Sequence, residues 1–246
     1  MNAKEKKKEQ KPRSEDSDAG AEDLIRELGL AAPGTDFESD LQYISIIGSI
    51  EGHIALPMEN KTTKYEHLIP QLIAVEENPK LRGLLVILNT MGGDVEAGLA
   101  LAEMIATLSK PTVSLVLGGG HSIGIPLATA TDYSFIAGTA TMTLHPIRTT
   151  GLVITAETTF DYMRKTQDRV IDFIAGHSRA TRKRVTELMN CSDNMSNDVG
   201  TILFGKEAVD AGIIDAVGGV SQALGELRRR VAKVDELKKE ISISTD

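Results

Sequence analysis

Two mainly apolar runs of strand length, each followed by a glycine-rich turn and then by a helical segment, constrain the fold of this chain more than any other feature. The runs cover residues 83–89 and 112–117. An uninterrupted apolar run of strand length is typical of a parallel strand that is covered on both faces. Strand and helix alternate along the neighbouring sequence as well, which predicts an α/β fold built of βα units with right-handed crossovers.

The hydrophobic pattern also places the other elements. It predicts strands at residues 43–50, 133–137 and 141–144, and helices at residues 65–77, 95–108 and 122–130. From residue 157 onward, apolar residues recur at helical spacing toward Val185 and Leu188, which predicts one long helix that either mediates assembly or packs on the core. A short helix and turn at residues 206–220 and an amphipathic helix from Leu224 to Leu237 complete the pattern.

Composition divides the chain into three parts. Residues 1–38 begin with a cluster of basic side chains and continue with acidic ones. They hold too few apolar side chains to offset the chain entropy lost on folding. We therefore expect a disordered charged tail at residues 1–38 and a folded domain at residues 39–222. A C-terminal amphipathic helix and tail are expected at residues 223–246.

Charge and cysteine content exclude several classes of protein. The chain has 27 Lys and Arg against 35 Asp and Glu, a formal net charge of −8, which disfavours nucleic acid as a partner. Cys191 is the only cysteine, so an intrachain disulfide and a zinc site with two or four cysteines are excluded. No apolar stretch reaches the roughly 18 residues of a membrane span, and the first residues lack the apolar core of a signal peptide. The expected location is the cytoplasm.

The first glycine-rich turn reads Asn-Thr-Met-Gly-Gly-Asp at residues 89–94. Glycines at the end of a buried strand let a backbone approach a ligand closely and aim N–H groups at it. Three interpretations stay open on this turn alone: a phosphate site, an oxyanion hole and a plain tight turn. Neither of the common phosphate-binding glycine motifs is present.

The second turn, residues 120–124, fits the pattern Gly-x-Ser-x-Gly with Ser122 at its centre. In this pattern a sharp strand-to-helix turn exposes a serine hydroxyl between residues too small to block it. A nucleophilic serine needs a base, and His145 is the best candidate because it ends a short strand at the same predicted sheet edge. His121 adjoins the serine, so its side chain should point away from it. The other histidines are His53, His67 and His177.

Four landmarks in order resemble the family of the Clp protease proteolytic subunit, ClpP. They are residues 89–93, 122–124, 144–146 and 207–215, and the resemblance covers about residues 42–220. The chain resembles in particular the ClpP-like branch of translocation-enhancing proteins. The family implies a ClpP/crotonase-like spiral of βα units with a long projecting helix for oligomerisation. It also implies a serine endopeptidase that acts on peptides or unfolded protein segments.

The resemblance assigns roles position by position. Ser122 would be the nucleophile and His145 the general base, while the backbone N–H groups of Gly93 and Ile123 would form the oxyanion hole. Residues 147–152 would pair with the substrate backbone. The assembly would be a homo-oligomeric ring, with a heptamer and a double ring as candidate forms. No metal and no other cofactor is implied.

The chain also departs from the family pattern. Thr90 and Met91 stand where the family has serine and proline. An insertion between Asn190 and Thr201 obscures the triad acid, for which Asp198 is the first choice and Asp193 the second. The charged tail replaces the short pore loops of the family, which leaves an AAA+ unfoldase partner open. The translocation branch suggests peripheral contact with the membrane export machinery and the removal of signal peptides.

Three other interpretations compete with this one. A crotonase-like acyl-CoA enzyme shares the spiral fold but needs no serine nucleophile. A Ser-Lys peptidase would use Lys110 or Lys165, although neither occupies a position that the pattern requires. The third alternative is a catalytically inactive ClpP-like scaffold in protein translocation.

Overall fold

The computed structural model describes residues 39–148, 155–192 and 199–244. The predicted tail at residues 1–38 lies outside this part of the chain. So do both candidate acids, Asp193 and Asp198, and most of the predicted substrate-pairing segment at residues 147–152.

A mainly parallel sheet organises the described residues. Its strands are β1 (Leu41–Glu51), β2 (Thr62–Lys64), β3 (Gly83–Gly93), β4 (Thr112–Gly120), β5 (Tyr133–Ile136), β6 (Thr141–Leu144), β7 (Thr201–Phe204) and β8 (Ala216–Val217). The parallel path runs in the order β2-β1-β3-β4-β5-β8. β6 leaves this path: it pairs in parallel with β4 and antiparallel with β7. The predicted α/β class with parallel strands is confirmed.

Helices connect the strands and cover the sheet. They are α1 (Tyr65–Glu77), α2 (Val95–Ala106), α3 (Gly124–Thr129), α4 (Ala156–Gly176), α5 (Arg182–Asn190), α6 (Gly205–Asp210) and α7 (Val220–Ser244). The two apolar runs of the sequence are the centres of β3 and β4, and a helix follows each of them. No helix in the described ranges is both long enough and apolar enough to cross a membrane.

The prediction of one long helix extending to Leu188 is wrong. α4 ends at Gly176, and α5 begins six residues later, although the apolar spacing continues across the break. Thr181 starts the new helix, because its side-chain oxygen accepts a hydrogen bond from the Arg184 N–H at 3.2 Å. The first half of α4 is largely exposed, whereas Val170, Ile171 and Ile174 in its second half are buried.

Both faces of the sheet are buried, as the apolar runs predict. Along β3, Leu84, Val86 and Leu88 join the larger core, which contains residues of α1 to α6. Leu85 lies in a second core with Ala223, Leu227 and Val231, so α7 packs on the opposite face. Each buried Leu or Val contributes roughly 1.5–3 kcal/mol. The C-terminal helix therefore holds the sheet that carries the two glycine-rich turns.

Candidate active site

Ser122 occupies a strained turn between β4 and α3. Its φ angle is +55°, and among the described residues it alone has a positive φ without being glycine. This conformation is uncommon for a residue with a side chain and costs on the order of 1–3 kcal/mol. A sharp turn of this kind aims a serine hydroxyl away from the backbone, as at the nucleophile of many hydrolases. The sequence pattern predicts a helix from Ser122, but the positive φ of this residue is incompatible with a helix, so α3 begins at Gly124.

Hydrogen bonds from three segments hold this turn. The Ser122 N–H donates to the carbonyl oxygen of Thr143 in β6 at 2.8 Å, and the His121 N–H donates to that of Thr90 in β3 at 3.1 Å. The N–H groups of Gly124 and Ile125 donate to His121 and Ser122 at 2.9 and 3.0 Å. Together these hydrogen bonds hold Ser122 in its strained backbone conformation.

The first glycine-rich turn lies directly against the serine turn. A Cβ atom on Gly92, which has a φ of +93°, would stand 2.7 Å from Ser122 Cβ and 3.3 Å from Ser122 Oγ. A Cβ atom on Gly93 would overlap the backbone of Ile50 in β1. Only glycine therefore lets the two turns approach each other. The structure thus brings together the two motifs that the sequence singled out.

Thr90, one of the departures from the family pattern, is built into this turn. Its hydroxyl donates to the Gly48 carbonyl at 2.6 Å and accepts the Gly92 N–H at 3.0 Å. Its methyl group packs so close to Gly124 that a Cβ atom there would be 2.7 Å away. The side chain of Met91 is 70% exposed and lies at the cavity described below.

The two predicted oxyanion donors, the N–H groups of Gly93 and Ile123, belong to the two turns that meet at Ser122. The Ile50 carbonyl accepts the Asp94 N–H at 2.9 Å, so in this parallel ladder the Gly93 N–H points away from β1. Gly93 is exposed. Among the described residues, no acceptor is found for the Ile123 N–H. Both groups are available for a ligand, and their role as donors stays a prediction.

His145 follows β6 directly and is half-buried. Its Nδ1 atom is 2.7 Å from the Pro146 carbonyl oxygen. A carbonyl oxygen only accepts hydrogen bonds, so Nδ1 carries the proton and Nε2 is left as the basic nitrogen. This is the tautomer that a general base requires, although the partner here is a carbonyl and not the carboxylate expected in a triad.

One cavity of about 300 Å³ joins the predicted site residues. Ser122, His145, Gly93 and Ile123 all line it. Its apolar wall is formed by Val95, Ile125, Leu144, Ile147, Val170 and Met189. Exposed Arg148 and half-buried Ser49 add polar groups. Such a mostly apolar cavity with a few convergent polar groups is typical of a ligand site.

His121 does not line the cavity, in agreement with the prediction that its side chain points away from the serine. Its Nδ1 atom lies 2.9 Å from Thr143 Oγ1. Burial, followed by the charge of nearby His145, lowers the pKa of His121 below its usual value. No local sequence pattern predicts that Thr143 supports the serine turn, because its contacts depend on the pairing of β6 with distant segments.

The ends of the segment that contains both candidate acids meet beside His145. The Gly200 N–H donates to the Cys191 carbonyl at 2.7 Å. A Cβ atom on Gly200, which has a φ of +139°, would lie 3.0 Å from His145 Cβ. The carboxylates of Asp193 and Asp198 are outside the described residues, so the choice between them stays a prediction. The described ranges hold no cluster of three or more His, Cys, Asp or Glu that could bind a metal ion.

The chain is similar in sequence to known proteins over most of its length. The family model for Clp protease matches residues 39–221. The chain is 53% identical over 222 residues to the translocation-enhancing protein TepA of Halalkalibacterium halodurans, covering 90% of this chain and 87% of that protein. These two matches show that the chain belongs to the Clp protease family.

Proposed function

We propose that this protein is a serine endopeptidase of the ClpP type that cleaves peptides or unfolded protein segments. The observation that carries the proposal is the shared cavity of Ser122 and His145. One residue has the strained backbone of an exposed nucleophile, and the other has the tautomer of a base. Membership of the Clp protease family supports the same reaction class.

In the proposed reaction, His145 Nε2 takes the proton of the Ser122 hydroxyl as the oxygen attacks the substrate carbonyl. The N–H groups of Gly93 and Ile123 stabilise the oxyanion, and each such donor lowers the barrier by about 3 kcal/mol. His145 then returns the proton to the leaving amine, which departs as the acyl-enzyme forms. Water, activated by the same imidazole, hydrolyses the ester and releases Ser122.

We assign the third position of the triad to Asp198, with Asp193 as the second choice. Asp198 precedes Gly200, the glycine that packs on His145, by two positions in the sequence, whereas Asp193 precedes it by seven. A carboxylate at that place would stabilise the imidazolium formed during attack.

The substrate would lie along the cavity beside the segment that follows His145. The Ile147 N–H already donates to Gln167 Oε1 at 3.1 Å, so backbone pairing with a substrate would start beyond it. The apolar wall favours substrates with an apolar side chain next to the scissile bond. We further propose a homo-oligomeric ring assembled through the exposed half of α4, where Phe160 and Tyr162 are 68% and 62% exposed.

The name of the relative suggests where such a peptidase acts. Because that protein is called translocation-enhancing, we propose that the substrates arise during protein export, as preprotein segments or cleaved signal peptides. The protein would then work in the cytoplasm, beside the export machinery.

A catalytically inactive scaffold in translocation is the second candidate. It is favoured by the bond between His145 Nδ1 and the Pro146 carbonyl, which occupies the place of the carboxylate partner.

Covalent labelling with a fluorophosphonate probe separates the two candidates. We expect the wild-type protein to be labelled, Ser122→Ala to be unlabelled and His145→Ala to react several orders of magnitude more slowly. Ser49→Ala is the matched control, since Ser49 lines the same cavity and should leave labelling unchanged. A folded wild-type protein that takes up no label would favour the scaffold. Labelling that persists in Ser122→Ala would show that the nucleophile is another residue.

A further inference from the structure

The proposed nucleophile and base come from two different strands that share little pairing. Ser122 follows β4 and His145 follows β6, and Gly119 with Thr141 is the one residue pair in their ladder. The Ser122 N–H adds a single bond to the Thr143 carbonyl. Few backbone hydrogen bonds therefore join the two strands that carry the reacting groups.

His121 supplies a side-chain link across the same junction. Its Nδ1 atom is 2.9 Å from Thr143 Oγ1. Its ring also lies across β4: a Cβ atom on Gly119 would be 2.5 Å from His121 Nε2 and 2.7 Å from Cδ2. The imidazole thus covers the glycine that pairs with β6 and at the same time contacts Thr143 of β6. Position 119 has room for this ring only because it is glycine.

Thr143 connects this link to the base. Thr143 is the third residue of β6, and His145 follows the end of that strand two residues later in the chain. Thr143 therefore holds the nucleophile turn twice, through its carbonyl and through its hydroxyl, two residues before the base. Burial, followed by the charge of His145, lowers the pKa of His121, which favours the neutral imidazole at this position.

We propose that His121 is a positioning residue, which fixes the Ser122 turn relative to His145 through Thr143 and exchanges no proton with the substrate. This inference rests on the proposed peptidase function, because it concerns the geometry of that reaction.

The test compares the maximal rate of fluorophosphonate labelling, and the probe concentration giving half that rate, across six variants. In His121→Ala and Thr143→Val we expect the maximal rate to fall about tenfold, because small displacements of reacting groups are costly. The half-saturating concentration should change less than about twofold, since the cavity itself is untouched. Thr143→Ser and His121→Asn keep a hydrogen-bonding group and should retain most of the rate.

The double variant His121→Ala with Thr143→Val gives the most discriminating comparison. If both side chains act through one link, the double variant is no slower than either single variant. His177→Ala is the control, since that ring stacks on Phe173 at the end of α4, and it should label normally. Thermal unfolding checks that every variant is folded. An unchanged rate in folded His121→Ala, or additive losses in the double variant, would overturn the inference. A wild-type protein without labelling would instead refute the proposed function and the inference with it.

Discussion

Replacing Gly92 by alanine tests how closely the two glycine-rich turns must approach. The new methyl group would stand 2.7 Å from Ser122 Cβ, where ordinary contacts begin near 3.4 Å. Ser122 would have to retreat by roughly 0.7 Å, because the carbonyl of His121 at 3.0 Å blocks the other direction. Since a displacement of about 1 Å can cost 10²-fold in rate, we expect labelling to slow by roughly 30-fold or more. The φ of +93° adds a stability cost of about 1–2 kcal/mol for any residue with a side chain.

The assay measures the second-order rate of fluorophosphonate labelling together with the melting temperature. Gly138→Ala is the matched control, because a Cβ atom there has Val217 Cγ1 at 4.0 Å as its nearest neighbour and no positive φ to oppose it. The control should label and melt like the wild type. If folded Gly92→Ala labels at the wild-type rate, the packing of the glycine against the serine does not set the position of the nucleophile, and the reasoning fails.

Three further outcomes follow from the same structure. Asp198→Asn should lower peptide turnover with little change in KM, whereas Asp193→Asn should be nearly silent; equal activity in steady-state assays of both would refute the assignment of the acid. The folded-state pKa of His121 lies below its unfolded value because of burial and the charge of His145, so folding stability is lost as pH falls below about 6.5. In urea titrations at pH 7 and pH 5, His121→Asn should therefore lose less unfolding free energy between the two pH values than the wild type does. Leu227→Ala should destabilise the fold by about 2–5 kcal/mol in the same titrations, because its side chain is fully buried between α7 and the sheet; a smaller loss would mean that α7 contributes little to that face.

The strands were predictable because burial leaves a clear pattern in the sequence. The run at residues 83–89 is apolar as far as Leu88 because helices cover both of its faces, so β3 was located correctly. Its end was not, because glycines are compatible both with a turn and with continued pairing. Gly92 and Gly93 continue to pair with β1, and Gly120 still pairs with Thr90. Only the neighbouring strands decide where such a strand stops.

The break between α4 and α5 shows a different limit. Val185 and Leu188 keep the apolar spacing of the preceding helix because α5 packs on the same core. Periodicity therefore could not reveal that the chain turns after Gly176. The local signal was the capping residue Thr181, which competes with helix continuation by accepting the Arg184 N–H.

The motifs of the site could be predicted from the sequence, but the residues that hold them in place could not. Ser122 and His145 each carry a local signature, a glycine-flanked turn and a strand end, and the fold places both in one cavity. No local pattern marks Thr143, since it supports the site by contacting His121, which is 22 positions away in the sequence. Contacts of this kind depend on the strand register, which no local pattern encodes.

In a Ser-His-Asp triad, one carboxylate both fixes the tautomer of the histidine and stabilises the imidazolium. The bond between His145 and the Pro146 carbonyl separates these two functions. A carbonyl accepts the Nδ1 proton and so fixes the tautomer. It carries only a partial charge, so it stabilises the imidazolium formed during attack less than a carboxylate would. An aspartate that joins this site therefore contributes mainly charge. Its replacement by asparagine should then cost less than the roughly 10⁴-fold loss seen where the same change leaves a histidine in the wrong tautomer. A loss of that full size in Asp198→Asn would mean that the carbonyl gives way to the carboxylate in the working enzyme, and that the tautomer as well as the charge depends on the acid.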